Sequence, residues 1–521
     1  MTAQFEDRIS RLVNGGIALA GGLKGVEKEA LRVRPDGLLA DTPHPRLLGS
    51  ALTNRFITTD FSEALLEFVT PAFSTTWETL GFLCDIHRFT HERLDNELLW
   101  PASMPCRIPD EPDIPLARYG TSNIGRMKTI YRRGLGYRYG RSMQTIAGIH
   151  FNYSVPEAFW PAWQEEEEQR GELDAFRSAG YLGLVRNFRR IGWLVLYLFG
   201  ASPALCRSFA ANAGTDMPRF DGHTLYEPFG TSLRMSDLGY NNRTQAKINI
   251  SLNSLEEYVG DLSAAIRTPE PAFERIGVKV DGEYRQLSAN RLQIENEYYS
   301  PARPKRTAFS GERPTAALLR GGIEYVEIRS LDINPFDPAG ISQNAMRFME
   351  ALLLYCLLEN SPPLDDAGWD ESAENHLRTA RHGRDASLQL LSDGREQALA
   401  DWGKEIVEGV AMVAELIDGA TKSRDYTQAV EAQLAKLADA GRTPSARLLA
   451  ELEATQGSFF EFAMQTARGH HDYFGSLAPG DPERQAELEE EARNSVKRQR
   501  EIEASDRLSF DEYLQSYFAG T

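Results

Sequence analysis

Two carboxylates, Glu27 and Glu29, stand in residues 25–33, a segment whose composition is typical of a β-strand. In an extended chain, positions i and i+2 lie on the same face. The two side chains would therefore point in one direction and could bind a cation together. Carboxylate oxygens are the ligands that hard divalent cations such as Mg²⁺ take in proteins.

The same placement of polar residues recurs in other segments that the sequence predicts as strands. Glu63 and Glu67 flank Leu65, and Asp60 ends the β-prone residues 56–59. The further alternating sets are His150 with Asn152; Gln293, Glu295, Glu297 and Tyr299; and Glu327 with Arg329. For any one strand alone, a solvated row of glutamates is the simpler interpretation. If the faces line a single pocket, however, unpaired buried carboxylates would be too costly, and magnesium or manganese would compensate them better than zinc.

The composition limits the class of protein. The chain has 521 residues, 42% of them hydrophobic, and carries 57 Lys+Arg against 75 Asp+Glu, a formal net charge of -18. This acidic balance argues against nucleic acid and anionic membranes as partners. The N-terminus lacks the pattern of a signal peptide, and no apolar stretch approaches the ~18 residues of a transmembrane helix. We expect a soluble cytoplasmic protein with no nucleic-acid or membrane partner.

The organisation of the chain changes near residue 360. Before it, short alternating segments mix with predicted helices over residues 77–97 and 181–198. After it, the sequence is rich in Ala, Glu, Leu and Arg and predicts helices alone. We therefore expect one region of mixed strands and helices over residues 1–360 and a helical C-terminal region over residues 361–521 that packs on it.

The cysteines and the short catalytic motifs give little information about function. Cys84, Cys106, Cys206 and Cys356 are spaced as neither a metal knuckle nor a redox pair, so buried thiols are the default interpretation, although Cys106 lies in a predicted loop and could be exposed. The sequence contains no P-loop, dinucleotide-binding turn, zinc-protease motif or serine-hydrolase elbow. Residues 119–128 resemble a loop that could hold an anion, with a solvated basic loop as an equal alternative.

Five longer segments of the sequence are more specific indicators of the protein family. They are GVEKEALR at 25–32, TTDFSEALLEF at 58–68, YGTSN at 119–123, TSLRMSDLGY at 231–240 and EYVEIRSLDINPF at 324–336. Together they closely resemble the proteobacterial type of glutamate–cysteine ligase. The resemblance implies ATP-dependent joining of the L-glutamate γ-carboxylate to the L-cysteine amine through a γ-glutamyl phosphate, the first step of glutathione biosynthesis. It also implies an α+β fold, in which a glutamine-synthetase-like antiparallel sheet forms a funnel, with surrounding helices and a helical C-terminal region.

The resemblance also implies roles for individual residues. The expected magnesium ligands are Glu27, Glu29, Asp60, Glu67, His150 and Glu327. The expected contacts to substrate or transferred phosphate are Tyr131, Arg132, Arg234, Tyr240, Tyr299 and Arg329, and the three arginines among them are the expected catalytic residues. Acids would hold the metal ions that neutralise the triphosphate, and arginine forks suit phosphate or carboxylate. The expected partners are L-glutamate, L-cysteine and ATP, with magnesium or manganese as cofactor, and the chain is expected to be a monomer.

Each assignment has an alternative. Arg329 could form a structural ion pair with Glu327, His150 could be a core histidine, and Tyr240 and Tyr299 could be core aromatics. Two rival functions also stand. One is another γ-glutamyl ligase that uses ammonia or a different amine, and the other is a non-catalytic binding protein on the same scaffold.

Overall fold

The structure is a computed structural model that describes residues 2–210, 217–239, 248–309, 311–478 and 480–519. The strands are β1 (Leu23–Val33), β2 (Ile57–Thr59), β3 (Leu65–Val69), β4 (Leu98–Leu99), β5 (Ile149–Ser154), β6 (Ala204–Cys206), β7 (Thr224–Tyr226), β8 (Lys279–Val280), β9 (Glu283–Tyr284), β10 (Ala302–Lys305), β11 (Tyr325–Leu331), β12 (Gln389–Ser392) and β13 (Arg395–Ala398). The helices are α1 (Ala3–Gly15), α2 (Thr76–His91), α3 (Asn123–Tyr139), α4 (Phe159–Glu166), α5 (Leu173–Ile191), α6 (Trp193–Phe199), α7 (Arg207–Ala210), α8 (Leu255–Ala265), α9 (Pro271–Glu274), α10 (Pro314–Gly321), α11 (Gln343–Leu358), α12 (Asp366–His382), α13 (Leu399–Thr421), α14 (Asp425–Ala438), α15 (Pro444–Thr455), α16 (Phe459–Ser476), α17 (Pro482–Ser505) and α18 (Phe510–Ala519).

Seven strands form one antiparallel sheet. Six of them follow the order β10-β11-β5-β1-β3-β2, and β4 pairs with the end of β1. The sheet is open, with β10 and β2 at its edges. An antiparallel sheet surrounded by helices confirms the α+β prediction. The strands predicted around Glu27, Glu67, His150 and Glu327 are confirmed as β1, β3, β5 and β11.

Helices cover one face of this sheet. Helices α2, α5, α6 and α11 pack against β1 and β11 or against one another. Val26, Phe68 and Phe151 point to this side and are at most 1% exposed. Each Leu, Phe or Val side chain buried in this way contributes about 1.5–3 kcal/mol. The apolar positions therefore fix the sheet on the helices, and the alternate positions of the same strands are left for the other face.

A buried ion pair ties the sheet to the helices that follow it. Lys24 on β1 lies 2.8 Å from Glu350 on α11, and the two side chains are 1% and 0% exposed. Tyr426 on α14 donates a hydrogen bond of 2.5 Å to the same carboxylate. Removing one partner of such a pair would leave an uncompensated buried charge, which costs about 3–5 kcal/mol. The contact joins the sheet to a helix beyond residue 360.

Three structural predictions from the sequence are wrong. The C-terminal region is not wholly helical, because β12 and β13 form a hairpin. The helix predicted over residues 181–198 is two helices, α5 and α6, separated at Gly192. The alternation from Gln293 to Tyr299 is not a strand: residues Glu295–Glu297 form a 3-10 turn. Arg313 and Arg138, from outside the turn, pair with Glu295 and Glu297 at 2.5 Å and 2.7 Å and neutralise these acids.

The cysteines also differ from expectation. Cys106 is neither exposed nor a free thiol: it is 1% exposed and forms a disulfide with Cys206, 100 residues later in the chain. Cys356 is a free buried thiol, and Cys84 is free and half-buried. None of the helices in the described ranges combines the length and the apolar composition needed to cross a bilayer.

Candidate active site

The register of the strands brings the predicted acids onto one face of the sheet. Glu27 on β1 is directly opposite His150 on β5, and Glu29 is opposite Glu67 on β3. Residues directly opposite each other in an antiparallel pair have neighbouring side chains on the same face. Asn152 on β5 is likewise opposite Glu327 on β11. The face opposite helices α2, α5, α6 and α11 therefore carries four carboxylates, a histidine and an amide in adjacent positions.

Three of these side chains form a compact group that could hold a metal ion. One ligand atom from each of Glu27, His150 and Glu327 lies within 4.8 Å of the other two. His150 Nδ1 is 3.0 Å from Glu27 Oε2 and 3.9 Å from Glu327 Oε1. Asn152 donates a hydrogen bond of 2.9 Å to the other oxygen of Glu27 and so orients that carboxylate. Two carboxylates and one imidazole are a donor set that suits Mg²⁺ or Mn²⁺.

Glu327 is the most deeply buried member of this group. Its side chain is 2% exposed, and two cations flank it: Lys305 at 3.4 Å from Oε1 and Arg329 at 3.2 Å from Oε2. Burial acts to raise the pKa of Glu327, but Lys305, Arg329 and His150 outweigh it and hold this pKa well below the usual value. Oε2 accepts no hydrogen bond from the described residues. Glu327 is therefore an ionised carboxylate that could bind a metal ion in competition with the two cationic side chains beside it.

The remaining predicted ligands, Glu29, Glu67 and Asp60, extend the acidic surface. Burial raises the pKa of Glu29, and the charge of Asp60 adds to it. Burial also raises the pKa of Glu67 well above its usual value, with further contributions from Glu27, Asp60 and Glu29. Glu29 accepts a hydrogen bond of 2.6 Å from the backbone N–H of Gly148. These carboxylates destabilise one another when no cation is bound, and this mutual repulsion favours binding of divalent cations to the face.

Arg234 and Arg329 form a cationic edge beside the acids. Arg234 is 1% exposed, donates a hydrogen bond of 2.7 Å to the carbonyl of Arg329, and lies 3.6 Å from Asp332. Burial acts to lower the pKa of the Arg329 side chain, but Glu327, Tyr299, Glu29 and Glu27 together outweigh it and raise this pKa, so the guanidinium stays charged. A Cβ on Gly148 would lie 2.0 Å from Arg234 Nη2, so only glycine leaves room for that guanidinium. Asp332 and Gly148 therefore hold Arg234 in place.

Helix α3 carries Tyr131 and Arg132 to the same region. Arg132 donates through Nε to the backbone carbonyl of Asp60 and lies 4.7 Å from the ring centre of Tyr119. Burial raises the pKa of Tyr131 above its usual value, with the carboxylate of Glu297 adding to the rise. Arg132 thus borders the acids from the side of β2, opposite the edge formed by Arg329.

The C-terminal helices brace helix α3 and occupy the predicted anion loop. Asp506 accepts a hydrogen bond of 2.6 Å from the N–H of Asn123 at the start of α3, and Glu503 accepts one of 2.9 Å from the N–H of Thr121. Phe510 on α18 packs with Met127 of α3 in one apolar cluster. Carboxylates of the chain therefore bind the N–H groups of Thr121 and Asn123, and these two groups are not open to an external anion.

Tyr299 lies near the buried arginines of the site. Tyr240 lies outside the described residues. Tyr299 donates a hydrogen bond of 3.1 Å to the sulfur of Met235. Burial raises its pKa, while the charges of Arg234 and Arg329 act in the opposite direction. Tyr299 therefore lies beside the cationic edge of the site.

Several residues of this face were not among the predicted site residues. Asn152, Lys305 and Asp332 contact the predicted acids or arginines. Arg303 is directly opposite Glu327 and is 9% exposed. The alternation of Arg303 and Lys305 could have indicated a basic strand face, but a four-residue strand containing a proline gives a weak signal. Asp332 gave no signal, because its role depends on contacts between distant segments.

One acid of the predicted pattern, Glu63, does not lie on the acidic face. Glu63 precedes β3, and its two oxygens accept hydrogen bonds of 2.6 Å from the N–H of His44 and 2.5 Å from the N–H of Arg118. The side chain is 5% exposed and holds two loops together. It takes no part in the acidic face formed by Glu27, Glu29 and Glu67.

The fold and this face define a class of protein. An open antiparallel sheet presents carboxylates and a histidine that could hold a divalent cation, with arginines beside them, and this combination suits the binding and transfer of phosphoryl groups. Comparison with known proteins narrows the class. The sequence matches the family model described as glutamate-cysteine ligase over residues 12–379. The chain belongs to the glutamate–cysteine ligase family, which confirms the resemblance seen in the five sequence segments.

Individual relatives match the chain over nearly its whole length. It is 50% identical over 522 residues to the glutamate–cysteine ligase of Alcanivorax borkumensis, with 99% of each chain covered. It is 47% identical over 524 residues to that of Pseudomonas fluorescens, covering 99% of this chain and 98% of the relative. The crystal structure of the Francisella tularensis glutamate–cysteine ligase in complex with AMP superposes with a TM-score of 0.90 at 35% identity, covering 97% of this chain and 99% of that one.

Proposed function

We propose that the protein joins the γ-carboxylate of L-glutamate to the amine of L-cysteine at the expense of ATP, through a γ-glutamyl phosphate. The observation that carries this proposal is the juxtaposition of Glu27, His150 and Glu327 with Arg329 on one face of the sheet. Relatives matching over 99% of the chain carry the name of this activity, and the structural neighbour binds AMP. The reaction would be the first step of glutathione biosynthesis.

The proposed cofactor is magnesium, with manganese as a substitute. Glu27, His150 and Glu327 would hold one ion, and Glu29, Asp60 and Glu67 supply carboxylates for further ions. The fit rests on the donor set, in which two carboxylates and an imidazole lie within 4.8 Å of one another, and on the burial and neighbouring acids that raise the pKa of Glu67. When bound, such ions neutralise the charge that develops on the triphosphate.

The arginines have a separate part in the proposed mechanism. Arg329 and Arg234 present guanidinium groups whose geometry suits phosphate or carboxylate oxygens. Their burial and fixed contacts orient them before substrate arrives, and prearranged donors to developing charge give the largest gains in rate. Arg132 would act from the opposite border of the face. Tyr131, Tyr299 and Tyr240 are proposed as walls of the acceptor pocket, and a nearby carboxylate would take the proton that the cysteine amine loses.

The acceptor substrate that the enzyme prefers distinguishes this function from the two alternative functions. ADP release is measured with ATP, Mg²⁺ and glutamate plus cysteine, 2-aminobutyrate or ammonia, and products are identified by mass spectrometry. Cysteine should be the best acceptor, and 2-aminobutyrate should be weaker but measurable, because one lost side-chain group costs about 1–3 kcal/mol. Ammonia outcompeting cysteine would indicate an amide-forming ligase. No ADP release with any acceptor would leave the binding-protein alternative.

The organisation and setting of the enzyme are further parts of the proposal. Residues 1–360 would be the catalytic core, and residues 361–521 would be a helical region whose helices α17 and α18 brace α3. We propose a cytoplasmic monomer whose partners are its small-molecule substrates, because its net charge of -18 disfavours nucleic acid and anionic membranes. Light scattering during size-exclusion chromatography tests the monomer.

A further inference from the structure

Lys305 stands where the proposed metal ion would act. Its ammonium lies 3.4 Å from Glu327 Oε1, the same oxygen that is 3.9 Å from His150 Nδ1. Lys305 ends β10 at the edge of the sheet, and its side chain is 30% exposed. Glu327 itself is only 2% exposed. The lysine therefore reaches from the solvent side into the group that could hold the cation.

A divalent cation and this ammonium cannot share Glu327 without repulsion. The ion held by Glu27, His150 and Glu327 would use an oxygen of Glu327, and two cations on one carboxylate repel each other strongly in a buried setting. Arg329 also contacts Glu327, but its guanidinium has a second neighbour, His150 Nδ1 at 3.5 Å. Within the described part of the chain, the Lys305 ammonium forms an ion pair with Glu327 alone, although its charge also acts on Glu27.

The two cations also differ in their freedom to move. Lysine carries its charge on a flexible four-carbon stem, whereas the planar guanidinium of arginine has fixed donor directions. Lys305 is more exposed than Arg329, at 30% against 20%. Lys305 is therefore the cation that can leave Glu327 at the smaller cost.

We propose that Lys305 is an exchangeable counter-ion: it neutralises Glu327 while the divalent cation is absent, and it turns to the terminal phosphates of ATP when the cation takes its place. The inference rests on the proposed function, because it names a residue that would contact that enzyme's nucleotide. The exchange would keep the buried carboxylate compensated in both states. It would also release an ammonium close to the phosphate charge that must be neutralised.

The first test uses Mn²⁺ alone, without nucleotide or amino acid. Electron paramagnetic resonance measures free Mn²⁺ during titration of the wild type, Lys305→Met, Lys305→Arg and the exposed control Lys404→Met. Removing the competing charge should tighten Mn²⁺ binding by about 2- to 5-fold in Lys305→Met, the range of a partly exposed ion pair. Lys305→Arg and Lys404→Met should match the wild type. Unchanged or weaker binding in Lys305→Met overturns the exchange.

The second test measures the KM for ATP of the same variants at saturating metal. Lys305→Met should raise this KM by about 10-fold or more, the scale of a lost hydrogen bond to a charged group, and Lys305→Arg should recover part of the loss. A wild-type KM in Lys305→Met overturns the phosphate contact. Thermal melting verifies that both variants fold. If the wild type turned over no ATP, the proposed function would fail, whereas the Mn²⁺ titration would still decide whether Lys305 competes with the cation.

Discussion

Replacing Glu27 by glutamine should weaken metal binding more than it lowers the free energy of unfolding. The substitution keeps the shape of the side chain and removes one negative charge from the group formed with His150 and Glu327. Glu27 is 20% exposed, and its partners are a histidine and the Asn152 amide rather than a buried cation. No buried charge therefore loses its partner, in contrast to Glu327, whose replacement would strand Lys305 and Arg329.

The effects on stability and on metal binding should differ in size. Loss of one hydrogen bond costs about 0.5–1.5 kcal/mol, and relief of the repulsion between Glu27 and Glu67 offsets part of it. Loss of outer contacts to a metal ligand already weakens metal affinity about 10- to 100-fold. Loss of an anionic ligand itself should reach the upper end, ~100-fold, which corresponds to about 2.7 kcal/mol. The change in metal affinity should therefore exceed the change in folding free energy.

The assay follows ADP release as free Mg²⁺ is varied at saturating ATP, together with urea unfolding. Glu63→Gln is the matched control, because Glu63 is an acid of the same sequence pattern that binds the backbone N–H groups of His44 and Arg118. It should lose about 1.5–3 kcal/mol of stability and keep the wild-type Mg²⁺ dependence. The assignment of Glu27 as a metal ligand is wrong if Glu27→Gln keeps that dependence too.

Three further predictions concern the arginines and the buried histidines. Arg329→Lys should lower the rate by ~10²–10³ because the fork of donors is lost; retained turnover with a lower Tm would indicate a structural ion pair. Gly148→Ala should displace the Arg234 guanidinium, since the new Cβ would lie 2.0 Å from it, and lower kcat by ~10² with little change in Tm; an unchanged kcat would remove Arg234 from the mechanism. Burial, with His471 and Lys28, lowers the pKa of His91 from 6.5 to about 3. A lowered histidine pKa gives stability that is present above pH 6.5 and is lost as the pH falls toward 3. Across that window the free energy of unfolding of His91→Gln, measured in urea, should fall by about 1.4 kcal/mol less per pH unit than that of the wild type. Equal slopes for the two proteins would contradict the shift in pKa.

The sequence determined which residues share a face within one strand. Alternation is a local property of an extended chain, so the pairing of Glu27 with Glu29, or of Glu327 with Arg329, could be predicted from spacing alone. The five longer sequence segments predicted the family, because matches of that length carry far more information than a short motif. Both predictions needed no knowledge of distant contacts.

Alternation by itself could not separate a strand from a turn. Glu295 and Glu297 follow the same period as the acids of β1, yet they lie in a 3-10 turn where Arg313 and Arg138 neutralise them. Glu63 also fits the pattern and serves two loops. In each case the partner of the acid comes from a distant segment of the chain, and spacing contains no information about it.

The register between strands was decided by the tertiary structure alone. It places Glu27 opposite His150 and brings Glu327 within reach of both, from segments about 120 and 300 residues apart in sequence. A shift of one residue would turn every side chain of a strand to the other face, so the metal group exists only because helix packing on the apolar positions fixes that register. The disulfide between Cys106 and Cys206 and the position of Lys305 beside Glu327 arise in the same way.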